Sequence, residues 1–173
     1  MNYLCIHKIG NQLNEELSKW LERGRNNKKE NKKLLKSWEK VKSLDTYFHP
    51  AHEEVFEKVD CLQCANCCKT TSPIFRDVDI DRIAKHLGVK PSEFTSKNLH
   101  IDEDGDWVLN SSPCLFLDEN NYCKIYEVRP KACREYPHTD RKNMFQIMDL
   151  TYKNTLVCPA VNVMIDKIKK NIN

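Results

Sequence analysis

Asp60-Cys61-Leu62-Gln63-Cys64-Ala65-Asn66-Cys67-Cys68-Lys69 brings four thiols into eight residues. Gaps of two residues return successive side chains to one side of a tight turn, so Cys61, Cys64 and Cys67 can face a common centre, as in chelators of soft metals. Cys68 breaks that pattern. Adjacent residues direct their side chains apart, and two neighbouring thiolates fit poorly around one tetrahedral ion. A second site, or a cluster, is implied, and the rest of the chain is expected to fold around it.

Working outward, 173 residues suit one domain with an appended helical segment. No apolar run approaches the roughly 20 residues that span a bilayer, and Met1 to Gly10 lack the basic start and apolar stretch of a signal peptide. A cytoplasmic location without membrane contact is therefore expected. Thiols stay reduced there, so nine cysteines, an odd number, argue for metal ligation over a disulfide framework. The formal charge of +3 counts cysteine as neutral. If eight cysteines ligate two divalent ions as thiolates, the thiolates subtract eight and the ions return four, leaving −1. Nucleic acid is thus disfavoured as a partner. Only four glycines are present, and none builds a phosphate-cradling loop.

The fold class expected is α+β: a small, metal-stabilised, cysteine-rich domain over residues 57–173, with short hairpins and several helices, preceded by an N-terminal helical hairpin over 1–56. Leu13, Leu17, Trp20 and Leu21 recur at helical spacing up to a stop at Gly24. A second helix carries Leu34, Trp38 and Val41 on one face. Nine Lys or Arg residues between Arg23 and Lys42 face only Glu30 and Glu39, a run that suits nucleic acid, an acidic protein partner or, with no aromatic platform beside it, a solvated helix face. His49 and His52 open a third helix as surface or packing residues, and Cys5 is taken as a free thiol. Asp77 to Gly88 forms a capped helix with Ile80, Ile83, Ala84 and Leu87 inward. Pro91 starts another helix, and Leu99 to Leu109 forms a hairpin turning at Glu103-Asp104-Gly105-Asp106.

The remaining thiols follow. Cys114-Leu115-Phe116-Leu117 and Tyr122-Cys123-Lys124-Ile125-Tyr126 are strand-like runs about the turn Asp118-Glu119-Asn120-Asn121. With Leu117 opposite Tyr122, Phe116 faces Cys123, and Cys114 and Cys123 share one face. Pro130 and Pro137 bracket a single helical turn that presents Cys133. Arg129 and Arg134 either support sulfur or pair with Glu127 and Glu135. Cys158-Pro159 precedes a final helix with Val161, Met164, Ile165, Ile168 and Ile172 on one stripe.

Taken together, Cys61-x2-Cys64-x2-Cys67-Cys68, Pro113-Cys114-Leu115-Phe116-Leu117 and Cys123-Lys124-Ile125-Tyr126-Glu127-Val128-Arg129-Pro130-x2-Cys133-Arg134-x-Tyr136-Pro137 resemble the YkgJ-like CxxCxxCC cysteine cluster family, described as chelating zinc or iron. The resemblance runs from about Asp60 to Pro159 and implies metal binding through Cys61, Cys64, Cys67, Cys68, Cys114, Cys123, Cys133 and Cys158. The family also includes flagellin lysine N-methylases, which are larger, and no region here carries that activity over. Eight thiols divide into two centres of four. Cys61, Cys64, Cys67 and Cys158 echo the spacing of bacterial ferredoxins, and on that partition Cys68, Cys114, Cys123 and Cys133 form the second centre; other partitions, one with a thiolate bridging two metals, stand open, and Cys-x2-Cys knuckles equally suit zinc. Three functions stand open: a metal-binding protein with structural or metal-handling zinc or iron-sulfur centres, an iron-sulfur enzyme (an oxidoreductase or a relative of the lysine methylases), and a thiol redox sensor using Cys67 and Cys68.

Overall fold

The computed structural model describes residues 3–172, with side chains from Glu15 onward. The expectations for Cys5 and Leu13 lie outside the described side chains. The elements are α1 (Tyr3–Asn26), α2 (Lys28–Trp38), α3 (Asp45–Phe56), α4 (Cys61–Cys64), α5 (Asn66–Thr70), α6 (Asp77–Leu87), α7 (Pro91–Asn98), β1 (Leu99–Ile101), β2 (Trp107–Leu109), α8 (Lys131–Glu135), α9 (Met148–Thr155) and α10 (Pro159–Lys169), with 3-10 turns at Tyr126–Val128 and Met144–Ile147. The class is mixed helical with one small antiparallel sheet. No helix among the described residues is long and apolar enough to cross a membrane. The chain divides into two compact units, Met1–Cys64 with Pro137–Asn173, and Ala65–Tyr136.

In the first unit α1 packs on α10, α2 on α9, and α3 on α10. The helical hairpin expected at the N-terminus does not form. Gly24 lies inside α1, and α-type hydrogen bonds run through the junction, from Asn27 N to Arg23 O and from Asn31 N to Asn27 O. Two helices joined by Asn27 alone cannot fold back on each other, so each packs elsewhere. The α2 stripe also differs by one position: Asn31, Leu35 and Trp38 are buried while Leu34 is half-buried, and the lysines stay outside. Trp38 meets Phe48 of α3 edge-on at 6.2 Å. The α10 stripe is as expected, with Val161, Met164, Ile165 and Ile168 all at most 2% exposed. Segment 138–157, for which no element was expected, supplies Met144 and Met148 to the same core.

Asp45, at the start of α3, secures that segment by accepting the Asn143 and Met144 N–H groups, each at 2.8 Å. Partial burial raises its pKa, but the N–H groups of Met144 and Asn143 outweigh this and hold it below the ordinary value. A depressed carboxylate pKa stabilises the fold above the unfolded pKa and ceases to do so as pH falls through the folded one. Asp45→Asn is therefore expected to cost about 1 kcal/mol at pH 7. In urea titrations that difference from the wild type should close below about pH 4.

The second unit is built on α6, α7 and the β1–β2 hairpin. Phe75, Ile80, Ile83, Ala84, Phe94, Leu99, Leu109, Phe116 and Ile125 form its core, with Cys114 and Cys123 packed against it. Leu99 pairs with Leu109 and Ile101 with Trp107, about the acidic turn expected. Leu87 is exposed rather than buried. Gly88 adopts φ 70°, the Val89 N–H bonds to Ala84 O at 3.0 Å, and Val89 folds back onto the core in place of Leu87. This is the glycine-closed helix end in which the following apolar residue takes the last inward position.

Candidate metal centre

None of the eight described cysteines is in a disulfide. Within the first unit, Asp60 Oδ1 accepts the Leu62 N–H at 2.9 Å and so starts the single turn of α4, which carries Cys61 and Cys64. The third thiol, Cys158, stands at the start of α10, with Pro159 as the first helical residue. Burial drives its pKa up to about 12, and the charges of Cys61 and Cys64 add to the rise. Backbone N–H groups of Val161 and Ala160 point at its sulfur and oppose the shift. Cys61, Cys64 and Cys158 therefore lie within one another's electrostatic reach.

Within the second unit, α5 presents Cys67 and Cys68, following a left-handed Ala65 at φ 46°. The expectation that these two side chains diverge is not met, since their sulfurs approach to 3.9 Å. The Cys67 S–H stabilises Cys68 as the thiolate, and the Cys68 pKa falls to about 7 against an opposing effect of burial. Cys68 O accepts the Cys114 N–H at 2.8 Å, which brings the next thiol alongside.

Around Cys114 and Cys123 the chain forms two turns rather than two strands. Leu117 N bonds to Cys114 O and Tyr126 N to Cys123 O, and a single bridge joins Leu117 to Cys123. The register is thus one residue away from the Leu117–Tyr122 pairing expected. Asp118 accounts for the difference: its Oδ1 accepts the N–H groups of Asn120 and Tyr122, each at 2.8 Å, and Asn121 turns left-handed. Each turn uses one device. Backbone N–H groups of Phe116 and Leu117 are directed at the Cys114 sulfur, and that of Ile125 at the Cys123 sulfur. The side chains of Phe116 and Ile125 meanwhile anchor the turns in the core.

Cys133 occupies α8, as expected for a one-turn helix. Its pKa is pushed up to about 12, first by burial and then by the charges of Cys68, Cys114 and Cys123. Burial likewise raises Cys114 and Cys123, with the Cys68 charge acting on both. Cys68, Cys114, Cys123 and Cys133 thus form a mutually repelling group within one unit. Among the described residues, no three His, Cys, Asp or Glu side chains stand close enough to hold an ion as arranged. The donor set nevertheless fits a soft cation: every donor is sulfur, three thiols already receive backbone N–H groups that favour the thiolate, and a cation would cancel their repulsion.

A family model named CxxCxxCC, with the description "Putative zinc- or iron-chelating domain", matches residues 60–158. The chain belongs to this CxxCxxCC family. A protein of Methanocaldococcus jannaschii, "Uncharacterized protein MJ0661", is 30% identical over 82 residues. The aligned part is 46% of this chain and 44% of that protein, so the match spans under half of the relative's length. No solved structure matches.

In this CxxCxxCC chain, Arg129 stacks on Tyr126 at 3.7 Å and donates to Tyr126 O at 2.6 Å. Its charge favours the thiolates of Cys123 and Cys133. Glu135 pairs instead with Lys131 at 3.3 Å. His49 and His52 are packing residues of the first unit. His49 Nε2 bonds to Arg141 O at 3.0 Å and His52 Nδ1 to the buried Thr139 hydroxyl at 2.8 Å. Two residues escaped the sequence reading, Asp79 and Arg82. Asp79 resembles any first-turn acid, and the only hint was its spacing of three from an arginine on the same helix.

Proposed function

We propose that this protein is a metal-binding protein whose zinc or iron-sulfur centres are structural, with Cys68, Cys114, Cys123 and Cys133 holding one centre and Cys61, Cys64 and Cys158 serving another. The observation that carries the reading is the mutual electrostatic coupling of the four thiols in the second unit. Thiolates held together without a cation raise each other's pKa and oppose folding, whereas a bound cation reverses the sign of that interaction. In the second unit a set of four sulfurs also leaves no open coordination position, which distinguishes structural from catalytic zinc. Membership of a zinc- or iron-chelating family supports the same reading.

Anaerobic purification followed by metal analysis and a visible spectrum tests it. The expected result is about two centres per chain, one on the four thiols of the second unit and one on Cys61, Cys64 and Cys158. A colourless protein with zinc identifies tetrathiolate zinc, and a brown protein with iron and acid-labile sulfide identifies clusters. A reduced, folded chain that takes up neither zinc nor iron overturns the reading.

A further inference from the structure

We propose that Asp79 and Arg82 of α6 form a clamp that positions Cys133 for metal binding. The proposal rests on the reading above, in which Cys133 is a ligand. Asp79 is a carboxylate only 1% exposed. Its Oδ2 accepts the Arg76 N–H at 3.3 Å, closing the first turn of α6. Its Oδ1 accepts both the Arg82 guanidinium and the Lys131 N–H, the latter at 3.1 Å. Arg82 extends the grip along the chain, donating from Nε to Val128 O at 3.3 Å and from Nη2 to Arg129 O at 2.9 Å. Three backbone groups on the approach to Cys133 are therefore tied to a single ion pair about 50 residues away in sequence.

Those ties matter because α8 has five residues and cannot hold its own geometry. Nucleating a helical turn is unfavourable, and isolated helices shorter than about 12 residues are marginal in water. With Lys131 N fixed by Asp79, Cys133 two residues on is set relative to Cys68, Cys114 and Cys123. Stability alone is a weak reason for such a pair, since apolar replacements of buried ion pairs are often neutral or stabilising. What the carboxylate and guanidinium supply here is direction: both members of the pair bond main-chain groups of residues 128–131. Metal ligands depend on such outer partners, whose loss typically costs about 10- to 100-fold in metal affinity.

The test uses the full chain, with zinc for affinity by chelator competition and cobalt(II) for the thiolate charge-transfer band. Asp79→Ala is expected to weaken one of the two centres by about 10- to 100-fold and leave the other unchanged. Its cobalt band should fall toward that of Cys133→Ser. Asp79→Asn keeps an acceptor for Lys131 N and should recover part of the affinity; if Asp79→Ala does not fold, this variant decides through its own affinity. Asp45→Ala, which also removes a carboxylate holding two backbone N–H groups, should lower the melting temperature while leaving both affinities unchanged. Wild-type affinity in Asp79→Ala, or equal weakening in Asp45→Ala, overturns the clamp. If Cys133→Ser itself retains both centres at full affinity, the ligand role beneath the proposal has failed; if it loses one while both Asp79 variants lose none, only the clamp has.

Discussion

Replacing Cys64 with serine is expected to remove one of two bound metal equivalents and to lower the melting temperature steeply, and Cys133→Ser to remove the other. Structural zinc in small domains binds with an apparent free energy of about 10–16 kcal/mol at pH 7. A whole domain is stable by only about 5–15 kcal/mol, so one centre weighs as much as the rest of the fold. At roughly 2–4 °C per kcal/mol for a chain of this size, even a third of that contribution lowers the melting temperature by about 10 °C. A strong chelator should reproduce the combined effect and broaden the transition. The two variants should differ in location: hydrogen exchange should accelerate around α4 and the start of α10 in Cys64→Ser, and around α5, α8 and the Cys114 and Cys123 turns in Cys133→Ser. Cys5→Ser serves as the control and should change neither metal content nor melting. A variant that loses metal yet melts unchanged would show that the metal does not organise the fold.

Local chemistry accounts for what the sequence disclosed. Proline at the first position of α7 and α10, acids in the first turn of α6 with glycine after its last, and an apolar stripe on α10 each specify an element through neighbouring residues, and each element stands as expected. The β1–β2 hairpin does so too, because its turn residues and alternation lie within eleven positions. The misses are of another kind. A single side chain, Asp118, holding two N–H groups moved the Cys114–Cys123 register by one. Beyond the spacing of Asp79 and Arg82 the clamp was not legible, since its other half is the backbone of residues 128–131, and main-chain groups carry no signature in sequence. Segment 138–157 has little periodicity of its own and is tied down by side-chain bonds that periodicity does not reveal, from Asp45 to Asn143 and Met144 and from Asn154 Nδ2, which donates to Pro137 O at 2.9 Å.

Among the thiols, the sequence separated the ligands by spacing, whereas the structure groups them by field. Cys158 responds to Cys61 and Cys64, and Cys133 to Cys68, Cys114 and Cys123. The doubled cysteine has a distinct part within the second unit. A hydrogen bond between the Cys67 and Cys68 sulfurs holds the Cys68 pKa below the ordinary thiol value, whereas those of Cys114, Cys123 and Cys133 are raised. A cation held by this group, as proposed above, would offset the repulsion among its thiolates.

Gly24→Ala is expected to destabilise the protein although alanine is the better helix former. Gly24 lies in the helical interior of α1, where alanine would gain about 1 kcal/mol in propensity. A β carbon there would stand 2.5 Å from the Thr155 carbonyl oxygen and closer still to both polar atoms of the Asn162 side chain. Asn162 cannot step aside freely. It is buried, and its amide donates to Thr155 O at 2.8 Å and to Cys158 O at 3.4 Å. Overpacking of this kind costs about 1–3 kcal/mol and occasionally more. With a backbone oxygen as one of the obstacles the upper part of that range applies, and the overlap outweighs the gain in propensity. A net loss of about 2 kcal/mol should lower the melting temperature by roughly 4–8 °C. The damage should also reach the thiols, because Asn162 is what ties the Cys158 carbonyl to α10: metal held by Cys61, Cys64 and Cys158 should bind more weakly, while the group in the second unit keeps its affinity. A glycine read from sequence as the end of a helix is on this account a point where α1 lies close against Asn162 of α10, and a melting temperature raised by alanine would refute that close contact.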